Sequence, residues 1–436
     1  MEDEDLIKEL ISQNPWWNTG KVELEKNVVQ HSVFPIIEGQ LQEKQVLALV
    51  GLRSVGKTTL LRQLIQKRLE TGTKPSHLFY FSFDGFKKQS EVISKALALY
   101  SSSILKLPLA EIDSTVYVFL DEVQKIPDWS EEVKRFYDKN LKLKFIVSGS
   151  SSMNILKGSG ESLVGRIIIN KIYPFSFREF LKYNGLEVKQ QNPWNFEYPL
   201  SADKISILFN QYLTKGGFPV LYPVKEDARK ALLKSMVDLT FYRDIVNVFD
   251  IKRSDVLEGL FSIFVRESGN VVNYANLSGA LQAKFETIKQ YVDYLEASFL
   301  ISKTRFYSNS VSKTRQKNEK LYVADHAFSM LQETKSGNLV ETIVHNALRT
   351  TGFELFYWQS DKQREVDIVM TSKSIVPIEV KYQSKIAAED FKNLLEFMDE
   401  FSVKKGVLVT KNLFEVKKQK GKEIHCVPAW LFLLSI

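Results

Sequence analysis

Gly51-Leu-Arg-Ser-Val-Gly56-Lys57-Thr58 is the stretch that decides the fold of this chain. It follows the apolar run at residues 46–50 and precedes an amphipathic stretch at residues 58–68, which is the strand–loop–helix order of a phosphate-binding loop. Glycines let backbone N–H groups approach phosphates closely, and a helix N-terminus adds partial positive charge. We therefore predict that Lys57 holds the β- and γ-phosphates of ATP and that the Thr58 hydroxyl ligates Mg²⁺.

A second acidic element supports this interpretation, because the apolar run Val116-Tyr-Val-Phe-Leu120 ends in Asp121-Glu122. Open parallel sheets bind ligands at the carboxyl ends of their strands. Asp121 is predicted to hold the Mg²⁺ shell, and Glu122 to orient and deprotonate the attacking water. The ATP contacts predicted around these two residues are Gly51, Arg53, Ser54, Val55, Gly56, Lys57, Thr58 and Thr59.

Two further residues are candidates for contact with ATP, and each has an equally good explanation without a functional role. Ser148 ends another apolar run and is a candidate sensor of the γ-phosphate, although a Ser- and Gly-rich tip is also typical of any turn. Arg166 is a candidate ATP contact that supplies positive charge to a neighbouring subunit's nucleotide, and its alternative is a solvated arginine.

The first half of the chain has the pattern of an α/β fold with a parallel sheet covered by helices on both faces, because short apolar runs alternate with amphipathic stretches. A polar stretch at residues 184–200, with two prolines, indicates a connection between domains. We assign residues 1–190 to an N-terminal segment and a P-loop ATPase domain. The predicted strands lie at residues 46–50, 78–83, 116–120, 144–148 and 166–172.

The second half divides into a helical domain and a smaller α/β domain. Residues 200–335 have helical periodicity and end with three helices (255–267, 274–281 and 286–298) and a hairpin, the order of a winged helix-turn-helix. Residues 336–436 form the C-terminal domain. It is predicted to contain a helix at 339–350 and strands at 354–358, 365–370, 375–382 and 406–410.

The C-terminal domain carries acidic residues in the order helix glutamate, strand aspartate and Glu-x-Lys. Period-two geometry turns Glu379 and Lys381 to the same strand face. With Glu341 and Asp367, Glu379 is predicted to hold Mg²⁺ or Mn²⁺ for phosphodiester cleavage. The pattern resembles PD-(D/E)XK nucleases, and its order resembles that of Holliday-junction resolvases. The alternative is an exposed strand face with a cross-strand charge pair.

Basic residues in the winged-helix segment are candidates for contact with DNA phosphates. Acidic residues on the helix at 286–298 argue against sequence-specific groove reading, and domain docking is the alternative role. Lys320 is predicted to belong to the same basic turn. The predicted DNA contacts are Lys289, Lys303, Arg305, Lys313, Arg315 and Lys317.

Composition excludes several other classes. Cys426 is the only cysteine and the five histidines lack paired ligand spacing, so disulfide scaffolds and most zinc enzymes are excluded. No apolar run reaches the roughly 18–20 residues of a membrane span and the start is acidic, so a cytoplasmic protein without membrane partners is expected. The net charge of +7 permits a polyanionic partner.

The motifs together resemble one family, the archaeal and bacterial AAA-type ATPases whose C-terminal half is a conserved domain of unknown function. Besides the loop, Asp121-Glu122 and Ser148, the resemblance rests on 163–166 (Leu-Val-Gly-Arg), 174–180 (Pro-Phe-Ser-Phe-Arg-Glu-Phe), 216–219 (Gly-Gly-Phe-Pro) and 242–244 (Tyr-Arg-Asp). It covers nearly all of the chain after about residue 20. It implies an ATPase core, a helical and winged-helix middle and a restriction-endonuclease-like end. Because AAA relatives often form rings, the resemblance is also compatible with a homo-oligomer.

The leading interpretation is a Mg²⁺-dependent AAA-type ATPase coupled to a half that binds DNA and cleaves branched or structured DNA. Lys57 and Glu122 would serve catalysis in the first half, and Asp367, Glu379 and Lys381 in the second. Two alternatives remain. One is a nucleotide-controlled switch whose C-terminal half binds DNA or a protein, and the other is a DNA translocase with an inactive nuclease fold.

Overall fold

The computed structural model describes residues 3–24, 28–85, 90–150, 163–192, 194–332, 334–419 and 421–436. The chain forms two compact units. The first comprises Met1–Tyr173 and Tyr242–Val248, and the second comprises Pro174–Phe241 and Phe249–Ile436. The short segment Tyr242–Val248 thus belongs to the first unit although the chain on both sides of it belongs to the second.

The first unit is built on a five-stranded sheet whose neighbouring strands all pair in parallel. Its order is β2-β3-β4-β1-β5. Every residue of β1 and β3 is buried, as expected for a parallel sheet covered on both faces. The sequence prediction of all five strands is confirmed to within one residue at each end. The strands are Val46–Val50 (β1), Leu78–Ser82 (β2), Val116–Asp121 (β3), Leu143–Gly149 (β4) and Ile167–Lys171 (β5).

Helices flank this sheet, and the chain's N-terminal segment covers its free edge. The side-chain amide of Asn14 donates to the Tyr80 carbonyl (2.7 Å) and its oxygen accepts from the Tyr80 N–H (2.7 Å), so it satisfies edge strand β2 as a neighbouring strand would. The indole N–H groups of Trp16 and Trp17 both donate to the Leu78 carbonyl. The helices are Asp3–Gln13 (α1), Trp16–Thr19 (α2), Phe34–Gln40 (α3), Lys57–Glu70 (α4), Val92–Tyr100 (α5) and Trp129–Asp138 (α6).

The second unit begins at Pro174, just before a helix whose start has a predicted capping box. The predicted capping box is present: the Ser176 hydroxyl accepts from the Glu179 N–H (3.3 Å), and the Glu179 carboxylate accepts from the Ser176 N–H (2.7 Å). The helix that follows packs Phe177 and Phe180 on the aromatic rings of Phe209 and Tyr212. These apolar contacts place residues 174–190 with the second unit.

A nine-stranded sheet runs through the second unit in the order β13-β14-β12-β11-β10-β9-β7-β8-β6. Strands β7 and β9 pair in parallel, which joins the predicted winged-helix hairpin to the predicted C-terminal domain. Strands from residues 270–323 and from residues 354–428 therefore form one continuous sheet. The strands are Asn270–Val271 (β6), Ile301–Phe306 (β7), Lys320–Val323 (β8), Glu354–Gln359 (β9), Glu365–Thr371 (β10), Ile375–Lys381 (β11), Lys405–Thr410 (β12), Glu415–Gln419 (β13) and Lys422–Pro428 (β14).

Helices of the second unit lie before, between and after these strands. Those predicted at 255–267, 274–281, 286–298 and 339–350 are all present. Among the described residues, no helix is both long and apolar enough to cross a membrane. The helices are Phe177–Tyr183 (α7), Ala202–Lys215 (α8), Glu226–Leu239 (α9), Ser254–Arg266 (α10), Tyr274–Ala280 (α11), Phe285–Ala297 (α12), Val311–Gln316 (α13), Ser336–Arg349 (α14), Lys392–Glu400 (α15) and Ala429–Leu433 (α16).

Candidate functional site

The loop between β1 and α4 contains two positions that only glycine satisfies. A Cβ atom on Gly51 would lie 2.1 Å from the Ile172 carbonyl oxygen, which is far inside van der Waals contact. Gly56 has φ of +100°, a left-handed conformation that side chains disfavour, and it caps the N-terminus of α4. Ser54 also has positive φ (+62°), and Val55 is fully buried, so the loop exposes backbone rather than the Val55 side chain.

Lys57 is held inside this loop. Its ammonium donates to the carbonyl oxygens of Gly51 (2.9 Å) and Leu52 (2.8 Å), and the residue is buried. Burial lowers the pKa of Lys57, while the negative charges of Glu122 and Asp121 act in the opposite direction. The side chain that was predicted to bind phosphate thus lies at the centre of the loop, close to both predicted acidic residues.

Asp121 is the centre of a hydrogen-bond network that joins three other elements. Its carboxylate accepts from the Thr58 hydroxyl of α4 (2.6 Å), the Tyr80 hydroxyl of β2 (2.9 Å) and the Ser148 hydroxyl of β4. Burial, followed by the charge of Asp121, raises the pKa of Tyr80, so that phenol remains a hydrogen-bond donor. Thr58 and Asp121 together present two adjacent oxygen ligands of the kind that Mg²⁺ prefers.

Glu122 is the residue that follows β3, and its backbone has an unusual conformation with φ of +59°. Its N–H donates to the Ser148 hydroxyl (3.2 Å), and its carboxylate accepts from the Gln124 side-chain amide (2.6 Å). The same amide donates to the Ser150 hydroxyl (3.1 Å). Ser148 therefore contacts both predicted acidic residues, and Gln124 fixes the Glu122 side chain.

Arg53 projects from the phosphate loop and binds Asp244 with two parallel hydrogen bonds, from Nε (2.9 Å) and from a terminal nitrogen (2.7 Å). Burial acts to lower the pKa of Arg53, but the hydrogen bonds and charge of Asp244 outweigh it and raise that pKa. Asp244 lies in Tyr242–Val248, the segment that joins the first unit from a distant part of the sequence.

Arg166 is not brought to this site within the same chain. It precedes β5 at the edge of the sheet where β1 begins, since its carbonyl accepts from the Val46 N–H, whereas the phosphate loop follows the other end of β1. Its guanidinium contacts the Asp138 carboxylate (3.1 Å). The predicted role of Arg166 at a neighbouring subunit's nucleotide stays a prediction.

The second unit brings the four predicted C-terminal residues close to Lys320, a lysine that the sequence places in a basic turn, and two of the four, Glu341 and Asp367, contact it. That interpretation of Lys320 is wrong, because its side chain has no exposed surface. Its ammonium lies 2.7 Å from Glu341, 2.5 Å from Glu365 and 3.3 Å from Asp367. Burial acts to lower the pKa of Lys320, but these three carboxylates raise it well above its ordinary value. We call Lys320, Glu341, Glu365, Asp367, Glu379 and Lys381 the carboxylate cluster.

Glu379 lies on β11 opposite Asp367 of β10 and is almost fully buried. One of its carboxylate oxygens accepts from the Lys381 ammonium (2.7 Å), and the other is buried without a hydrogen-bond partner among the residues that the structure describes. Burial and the charge of Asp367 raise the pKa of Glu379 to about 8. The same two causes raise the pKa of Glu341 to about 7.

The predicted DNA contacts are divided between exposed and paired residues. The Lys303 ammonium contacts the carboxylates of Asp293 and Glu296, so its charge is already neutralised. Lys289 lies over the rings of Tyr274 and Phe285 and its residue is exposed. The remaining predicted contacts are also exposed, namely Arg305, Lys313, Arg315 and Lys317.

Comparison with known families agrees with the geometry of the first unit. A profile described as an AAA domain matches residues 43–181, which contain the phosphate loop, Asp121, Glu122 and Ser148. Profiles described as domains of unknown function, DUF8612 and DUF4143, match residues 206–334 and 336–432. The fold and the loop therefore define an AAA-type P-loop ATPase domain, followed by two domains whose families have no assigned function.

The chain belongs to the same family as uncharacterized protein MJ1544 of Methanocaldococcus jannaschii, which is 30% identical over 363 residues, 80% of this chain and 77% of that protein. An uncharacterized protein of Haemophilus influenzae is 26% identical over 395 residues, 87% of this chain and 92% of that protein. Among solved structures, AMPPCP-bound DnaA from Aquifex aeolicus aligns with 65% of this chain and 92% of its own, at 16% identity and a TM-score of 0.29.

Several residues of these sites were not predicted. Tyr80, Gln124 and Asp244 act through contacts between elements. Gln124 lies two residues after Glu122, and Asp244 ends the Tyr-Arg-Asp segment of the family resemblance, which by itself indicates no contact with Arg53. In the carboxylate cluster, Glu365 shares the strand of Asp367, so period-two geometry would have placed it on the same face. Lys320 carries no local signal, because a lysine at the start of a strand resembles any solvated strand end.

The raised pKa values in the carboxylate cluster predict a pH-dependent stability. Glutamate has an ordinary pKa of 4.5, so folded Glu379 retains a proton that the unfolded chain releases between about pH 4.5 and 8. The free energy of unfolding of the second unit should therefore fall as pH rises through this window. We expect Glu379→Gln to reduce the slope, as measured by scanning calorimetry from pH 5 to 8.5.

Glu389→Gln provides the matched control, because Glu389 is an exposed glutamate that follows β11 in the chain. It should leave the slope unchanged. An unchanged slope in Glu379→Gln, or a wild-type midpoint that rises over this range, would show that Glu379 is ionised in the folded protein.

Proposed function

We propose that the first unit hydrolyses ATP in a Mg²⁺-dependent reaction. The observation that carries the proposal is the hydrogen-bond network of Asp121. The Thr58 hydroxyl lies 2.6 Å from an Asp121 carboxylate oxygen, and Glu122 directly follows Asp121 in the chain. Binding alone requires the phosphate loop, whereas hydrolysis also requires an acid–base group beside it. Glu122 is that group.

The residues present fit a magnesium ion on the chemistry of their donors. Thr58 and Asp121 would hold it, because their adjacent oxygens are hard ligands of the kind that Mg²⁺ prefers. When bound, Mg²⁺ neutralises charge that develops on the phosphate oxygens. Lys57 stabilises the same charge from within the loop, and Glu122 accepts a proton from the attacking water while Gln124 holds its carboxylate in place.

Glu122→Gln should lower the turnover number for ATP by about 10²- to 10⁴-fold, the range typical of general-base loss, with little change in ATP affinity. Lys57→Ala should abolish turnover because it removes the phosphate-binding cation. Steady-state phosphate release and fluorescent-nucleotide binding measure the two effects.

Glu131→Gln, at an exposed acid on α6, is the control and should behave as the wild type. Undiminished turnover in both Lys57→Ala and Glu122→Gln would contradict the proposed function.

We propose as a second candidate function that the C-terminal half binds DNA without cleaving it. A metal does not fit the carboxylate cluster, because the Lys320 ammonium already contacts Glu341, Glu365 and Asp367. Within the described residues, no group of three or more His, Cys, Asp and Glu is arranged to hold a metal ion. The predicted metal-dependent cleavage, with Mg²⁺ or Mn²⁺, therefore has no support in this arrangement.

Two observations favour DNA as the partner of this half. Three helices (α10, α11 and α12) and the strands β6, β7 and β8 follow the order of a winged helix-turn-helix. Exposed cations lie on β7 and on the segment between β7 and β8, where such a fold carries its wing. Phosphate contact by exposed arginine and lysine depends on salt and not on base sequence. Those cations are Arg305, Lys313, Arg315 and Lys317.

The protein should bind linear, nicked and four-way-junction DNA without cleaving any of them in Mg²⁺ or Mn²⁺. Lys313→Ala with Arg315→Ala should weaken binding and reduce its salt dependence, as measured by fluorescence anisotropy.

Lys320→Met should destabilise the second unit by about 3–5 kcal/mol, because it leaves buried carboxylates without their cation. Millimolar Mn²⁺ should restore part of that stability.

Lys313→Met, at an exposed lysine, controls for the loss of a positive charge and should not change stability. Cleavage by the wild type that Asp367→Ala abolishes would contradict this candidate function and establish the cluster as a nuclease site.

A further inference from the structure

The segment Tyr242–Val248 connects the nucleotide site to the rest of the chain in an unexpected way. It belongs to the first unit, while Phe241 before it and Phe249 after it belong to the second. Most of it forms a wide helical turn, Thr240–Val246, that continues directly from α9. A displacement of this segment at the nucleotide site is therefore transmitted through the backbone to α9 and to the chain that leads to α10.

The attachment of this segment to the phosphate loop includes a paired charge. Both oxygens of the Asp244 carboxylate are engaged by the Arg53 guanidinium, at 2.7 and 2.9 Å. The Asp244 side chain is 4% exposed and that of Arg53 18% exposed, so water screens the pair weakly. A two-pronged, charge-assisted contact of this type is strong and orientation-specific.

Arg53 also belongs to the loop that is predicted to bind the phosphates of ATP. Besides Asp244, the charges of Glu122 and Asp84 act to raise the pKa of Arg53. Arg53 is four residues before Lys57 in the same loop. A phosphate bound by this loop offers Arg53 two anionic oxygens that its guanidinium can bind at once, as it binds the two oxygens of Asp244.

We infer that Asp244 competes with the terminal phosphate of ATP for the Arg53 guanidinium. A bound triphosphate draws Arg53 away and releases Tyr242–Val248, whereas a diphosphate leaves the pair intact. Asp244 is thus a positioning residue that acts through Arg53, and the segment reports to α9 which nucleotide is bound. This inference rests on the proposed ATPase function, since it requires ATP at the phosphate loop.

Hydrogen exchange of the backbone amides at residues 242–248 tests the release directly. In the wild type, exchange should rise roughly tenfold with Mg²⁺ and a non-hydrolysable ATP analogue, and should stay unchanged with Mg²⁺-ADP. In Arg53→Gln the pair is absent, so both nucleotides should give the same exchange. Equal exchange with the two nucleotides in the wild type, or a surviving difference in Arg53→Gln, overturns the inference.

Nucleotide affinity provides a second readout that a purely structural role would not produce. Asp244→Asn removes the competing charge while it keeps the shape of the side chain, so the ATP analogue should bind roughly tenfold more tightly and ADP should bind as before. Weaker binding of the ATP analogue by Asp244→Asn overturns competition, because it would mean that Asp244 supports the phosphate contact.

Asp227→Asn, at an exposed acid in the first turn of α9, is the matched control and should bind both nucleotides as the wild type does. If Asp244→Asn does not fold, the Arg53→Gln exchange experiment decides the question alone. A wild-type protein that binds neither nucleotide would instead refute the proposed function, so the two failures are distinguishable.

Discussion

One carboxylate, Asp121, holds the nucleotide site of the first unit together. It ends β3, which lies between β2 and β4, and it accepts hydrogen bonds from Tyr80 and Ser148 on those two neighbours. Its third donor, Thr58, is at the start of α4. The buried charge therefore needs the strand order and the phosphate loop to be correct at the same time, and the sites of Lys57 and Glu122 follow from that arrangement.

The second unit also buries carboxylates, but it stabilises them with lysine side chains. Four carboxylates meet where β10, β11 and α14 lie together, and two lysines compensate their charge. Lys320 is the decisive one, because it has no exposed surface and contacts three of the four acids. The carboxylate cluster has the residue order of a metal-dependent nuclease, but the Lys320 ammonium contacts three of its carboxylates. Metal-dependent cleavage therefore does not follow from its geometry.

Local patterns predicted much of this structure, and contacts between distant residues account for what they missed. The five strands of the first unit and the capping box at Ser176 depend on apolar runs and short-range hydrogen bonds, which a sequence displays directly. Strand β13 is exposed at all its residues, so it has no buried face to reveal it. Arg53 and Asp244 lie 191 positions apart, and no periodicity links them. The same limit applies to Lys320, whose ammonium is paired with acids contributed by two other elements, α14 and β10.

The dependence of ATP binding on Mg²⁺ tests the central role of Asp121 most directly. Isothermal titration calorimetry with an ATP analogue, with Mg²⁺ and with a chelator, should show strong Mg²⁺ dependence in the wild type. Asp121→Asn should bind with one weak affinity in both buffers, because it removes the charge that holds the metal shell. An Asp121→Asn protein that keeps the wild-type Mg²⁺ dependence would contradict the account.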